Sequence, residues 1–88
     1  MEHKNKKMKQ STMQHIRNAI MIYLRSIGVE NRFYGVTLID YVRQKIDKPN
    51  IYDDTVLRQM RLLKNKGQIS FFCTGDPRKS TYVLTGIK

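Results

Sequence analysis

Apolar residues recur along residues 12–27 at helical spacing, with Ile16, Ile20, Tyr23, Leu24 and Ile27 three or four positions apart. That pattern predicts a first helix over about residues 12–27. Ser11 with Gln14, or Thr12, would cap its start, and Gly28 would close it in a left-handed turn. Residues 28–36 read as a loop with one short extended piece around Phe33–Gly35, where Phe33 and Tyr34 are expected as core or platform residues. Thr37 is expected to open a second helix, its hydroxyl capping backbone amides and Asp40 adding favourable charge three residues on. Leu38, Val42 and Ile46 form its apolar stripe, with Ile39 and Tyr41 at the edges, and Asp47-Lys48-Pro49-Asn50 ends it.

A third helix starts at Asp53 or Asp54, where carboxylates offset the helix dipole, and runs to about Lys66 before Gly67. Its apolar stripe is Val56, Met60 and Leu63. The period then changes from helix to strand. Gln68–Cys73 and Thr81–Thr85, rich in aromatic and β-branched residues, flank the turn-forming run Thr74–Ser80 and predict a β-hairpin. Strict alternation allows at most one of Phe71 and Phe72 into a core, and an exposed Phe72 would mark an interface. Ile69, Phe71, Tyr82 and Leu84 are expected to be structural.

Eighty-eight residues carry one modest core. The division expected is a flexible basic tail over 1–10 and one folded domain over 11–88. The tail, with Lys4, Lys6, Lys7 and Lys9, either aids solubility or follows phosphates. The formal net charge of +10 points to a polyanionic partner, with nucleic acid first. From Thr55 onward Arg58, Arg61, Lys64, Lys66, Arg78, Lys79 and Lys88 face Asp76 alone, so the charge gathers in the second half.

Candidate chemistry changes this picture little. A single cysteine, Cys73, precludes an intramolecular disulfide and fits a reducing interior. No stretch approaches the roughly 20 apolar residues needed to span a bilayer, and the lysines near the start have no apolar run directly behind them. The expectation is a cytoplasmic protein without membrane partners. His3, His15 and Cys73 share no metal-ligand spacing, and Asp53 with Asp54 has no second carboxylate group or glycine-rich loop beside it. No enzyme activity, cofactor, metal or small-molecule substrate is expected.

The order helix, extended piece, helix, turn, helix, strand, turn, strand resembles the winged helix-turn-helix family, over about residues 12–87. The most specific stretch is Asp54–Ile69, similar to the recognition-helix signature of small prokaryotic and phage regulators: Thr55-Val56, Arg58, an apolar residue, Leu63, Gly67 and Ile69. Tyr82-x-Leu84 resembles the returning wing strand. The resemblance implies an α+β fold of three helices followed by a two-stranded wing. It implies a transcriptional regulator, prokaryotic or viral, acting on double-stranded DNA in the cytoplasm or, if viral, the host cytoplasm. Its wing, with Arg78 and Lys79 at the tip, would touch the DNA backbone or minor groove.

Helix geometry supports a DNA face independently. With each residue turning about 100°, Arg58, Arg61, Asn65 and Asp54 fall opposite Val56, while Thr55 and Leu62 lie on one flank and Leu57 and Lys64 on the other. Arginine can donate two hydrogen bonds to guanine and asparagine can pair with adenine. Leu57 and Leu62 would meet thymine methyls or sugars, or a dimer contact. The amides at the start of the second helix, beside Thr37, could take a phosphate. A homodimer on a palindromic site fits a regulator of this size. Two rival readings remain: a protein–protein interaction module on the same scaffold, and a binder of RNA or single-stranded DNA using exposed hairpin aromatics.

Overall fold

The computed structural model describes residues 2–74 and 81–88, with side chains from residue 12 onward. The chain runs α1 (Glu2–Ile27), β1 (Arg32–Tyr34), α2 (Gly35–Lys45), α3 (Asp53–Asn65), β2 (Ile69–Cys73) and β3 (Thr81–Ile87). The fold is α+β. The sheet is antiparallel with strand order β1-β3-β2.

That sheet corrects the expected two-stranded wing. β1 pairs along β3, Arg32 with Val83, Phe33 with Tyr82 and Tyr34 with Thr81. Next to the strand, the Glu30 amide donates to Leu84 O at 2.6 Å and the Leu84 amide to Asn31 O at 3.1 Å. The piece expected at Phe33–Gly35 is thus a strand shifted towards the N-terminus, fixed by a partner nearly fifty residues away. β2 pairs with β3 through a register shift at Ser70/Phe71, which leaves Thr85 extra on β3.

Two helix starts also differ from expectation. α1 begins at Glu2 and takes in the segment read as a flexible tail. Residues 2–27 contain neither proline nor glycine, and Lys, Gln, Glu and Met are good helix formers. α2 begins at Gly35, immediately after β1. Its cap is Tyr34, in extended conformation and with no side-chain cap bond. Thr37 is therefore the third helical residue rather than the cap, because pairing with β3 holds the chain extended up to Tyr34 and the helix starts at once.

One core joins the layers. Ile16, Ala19, Ile20 and Leu24 of α1 meet Leu38, Ile39 and Val42 of α2 and Val56, Met60 and Leu63 of α3. Phe33, Ile69, Phe71, Tyr82 and Leu84 add the inner face of the sheet. There Phe33 stacks on Tyr82 at 5.3 Å, and Phe71 meets Tyr82 edge-on at 5.4 Å. Such offset and edge contacts suit the ring quadrupoles. Tyr23 tilts against Tyr41 at 5.2 Å on the α1–α2 seam, and burial pushes its phenol above the ordinary value.

Candidate nucleic-acid interface

The apolar stripe of α3 decides which side of the helix remains outside. Val56, Met60 and Leu63 are buried. Across the helix from them Asp54, Arg58, Arg61 and Asn65 are exposed, and Thr55, Leu57 and Leu62 on the flanks are half-buried. The side chains of Arg58, Arg61 and Asp54 keep 74%, 61% and 64% of their surface in solvent, so they are free to reach a ligand. Six of the nine residues singled out from sequence thus lie on one helix: Asp54, Thr55, Arg58, Arg61, Leu62 and Asn65. Thr37 is exposed on α2, and no described hydrogen bond or ion pair joins it to this face. Arg78 and Lys79 lie outside the described residues.

Asp54 sits at the centre of the charges. Arg58 Nη2 lies 2.8 Å from Asp54 Oδ2, and Arg61 Nη2 lies 3.7 Å from Asp54 Oδ1. With the acid four residues N-terminal to Arg58, the pair has the favourable orientation on a helix. In solvent each pair contributes only about 0.2–1 kcal/mol. The local balance is two guanidinium groups against one carboxylate.

α3 is held by contacts that the sequence pattern did not disclose. Arg43, near the end of α2, donates from Nε to Ile51 O at 2.8 Å and also from its terminal nitrogen. The same side chain pairs with Asp53 Oδ1 at 2.8 Å. It thereby pins the α2–α3 turn to the first residue of α3. Arg17 of α1 donates to Gln59 Oε1 at 2.8 Å and to Gln14 Oε1 at 3.0 Å. Lys64 places its ammonium 4.6 Å from the centre of the Phe71 ring, linking α3 to β2. No local period reveals these partners, since the spacing of Arg43 and Ile51 or of Arg17 and Gln59 carries no helical or strand repeat.

An open groove of about 600 Å3 lies between α1 and the end of α3; its charged lining is Arg17, Arg25 and Lys66. Outside the helices, the sheet presents a second surface. Arg32, Val83 and Phe72 stand in register across β1, β3 and β2. Phe72 is 52% exposed and Tyr34 48%. Phe71 takes the core position and Phe72 the outer one, as alternation requires. Tyr52, just before α3, is 78% exposed.

Among the described residues no group of three or more His, Cys, Asp or Glu could hold a metal ion, and Cys73 is exposed. No described helix is long and apolar enough to cross a membrane. No protein-family model, curated protein or solved structure matches the chain.

Proposed function

We propose that this chain is a winged helix-turn-helix domain that binds double-stranded DNA as a transcriptional regulator, with α3 in the major groove. The observation that carries this reading is the division of α3. Val56, Met60 and Leu63 are committed to the core, while Arg58, Arg61 and Asn65 stand exposed in a row on the other side. A helix anchored on one face with Arg and Asn on the other can enter the major groove and meet guanine O6 and N7 or adenine N6 and N7. The order of elements and the net charge of +10 support the same reading. In it, the wing tip with Arg78 and Lys79 and the N-terminal lysines meet phosphates, and the chain does no catalysis.

The outer face of the sheet favours a second reading, a binder of single-stranded nucleic acid. Phe72 and Tyr34 would stack bases while Arg32 meets the backbone. Chemical-shift mapping with a mixed-sequence duplex and with an unpaired oligonucleotide separates the two. The DNA-duplex reading expects the largest changes at Asp54, Arg58, Arg61 and Asn65. Changes centred on Arg32, Tyr34, Phe72 and Val83, strongest with the unpaired strand, would establish the second reading instead.

A further inference from the structure

One carboxylate in the middle of a proposed DNA-reading face demands a physical account. Asp54 is the acidic member of the row Asp54, Arg58, Arg61, Asn65, and it pairs with both arginines through different oxygens, Oδ2 to Arg58 and Oδ1 to Arg61. Its helix-start role is shared with Asp53, which lies in the same first turn and pairs with Arg43 instead. The exposed pairs add little to stability. Their consequence is for the ligand.

We infer that Asp54 is a positioning residue that sets specificity, holding Arg58 and Arg61 so that base edges are favoured over phosphates. The inference rests on the duplex-DNA reading above. Binding a duplex without regard to sequence depends on cations meeting phosphates. To do so here, Arg58 and Arg61 must leave Asp54 and bring a phosphate towards an uncompensated carboxylate. Guanine O6 and N7 are neutral acceptors and raise no such conflict. Each guanidinium has five N–H donors, so one can remain on Asp54 while two others address a guanine. Asp54 also lowers the charge of the face from two to one, which weakens the attraction to every duplex equally. The carboxylate thus selects against phosphate contacts and stiffens the arginines for base contacts.

The test compares the native chain with Asp54→Asn and Asp54→Glu on two probes: a mixed-sequence duplex, and the best duplex the native chain selects from a random pool. Asp54→Asn keeps the size of the side chain and removes its charge. It is expected to bind the mixed duplex about two- to thirtyfold more tightly, the range that two exposed ion pairs allow. Its log–log salt dependence should steepen by about one phosphate contact, near 0.9 in slope. The ratio of selected to mixed affinity should fall, and Asp54→Glu should restore it. In the free protein, the Arg58 and Arg61 Nε–H resonances should move in Asp54→Asn. Unchanged affinity, slope and ratio in Asp54→Asn, with the native chain binding duplex DNA, overturn the inference and leave the DNA reading standing. A native chain that selects no duplex overturns both.

Discussion

Gly67 and Asp47 occupy equivalent positions, each with positive φ just past a helix end, at 76° and 57°. After α3 the Gln68 amide reaches Leu63 O at 3.0 Å and the Gly67 amide reaches Lys64 O at 3.0 Å. After α2 the Lys48 amide reaches Arg43 O at 3.0 Å and the Asp47 amide reaches Gln44 O at 3.3 Å. These are the paired bonds of the left-handed C-terminal motif, which satisfies carbonyls the helix leaves open. A Cβ at Gly67 would meet no atom within 4 Å, so its substitution carries a backbone cost alone. Gly67→Ala is expected to lower stability by about 1–2 kcal/mol, read as a lower urea midpoint with unchanged slope. Asp47→Gly should act in the opposite direction, adding about 0.5–1 kcal/mol by relieving the left-handed strain and removing a carboxylate from a negative helix end. An equal loss at both sites would contradict this account of the caps.

Between the elements, Arg43 carries the turn from α2 into α3. Asp53 is 69% exposed at its side chain, so most of the value lies in the bonds to the Ile51 carbonyl rather than in the ion pair. Arg43→Ala should cost about 1–2 kcal/mol in thermal or urea unfolding. Arg43→Lys should recover only part of that, since an ammonium lacks the planar fork. What the sequence made legible follows from the range of its signals. Val56, Met60 and Leu63 repeat within one helix, and their burial was readable from spacing. So was the choice of only one phenylalanine from Phe71 and Phe72 for the core. β1 was not readable as a paired strand, because three residues carry no period and their partners are Thr81, Tyr82 and Val83. The polar first turns of α1 carry no apolar stripe, so spacing alone gives them no helical signal. Thr37 had the chemistry of a cap but not the place, which strand pairing of Tyr34 decided. The α3 face was legible as a face. The bonding of both its arginines to Asp54 was not, because helical spacing gives proximity and not choice of partner.

At the scale of the whole molecule, the Phe33, Phe71 and Tyr82 cluster couples the sheet to the three-helix core. Phe33→Ala should cost about 3–5 kcal/mol, a large share of the roughly 5–15 kcal/mol of a small domain. Phe72→Ala, on the outer face, should stay within about 0.5 kcal/mol. Comparison of the two melts tests the assignment of the inner and outer sheet faces. With that core intact, α3 can be altered without unfolding the chain, because Arg58 and Arg61 are exposed and, among the described residues, pair with Asp54 alone. The exposed face of α3 is proposed to bind duplex DNA. The most direct test of this binding is fluorescence anisotropy over a salt series on the best duplex the native chain selects from a random pool, with the native chain and the Arg58→Ala/Arg61→Ala double variant. The native chain should give a log–log slope of about −4 to −5, as for roughly five phosphate contacts. The double variant should lose at least about tenfold in affinity, with an unchanged melt. A double variant that melts like the native chain and binds as tightly, or a native chain that does not bind, would contradict the proposed role of this face.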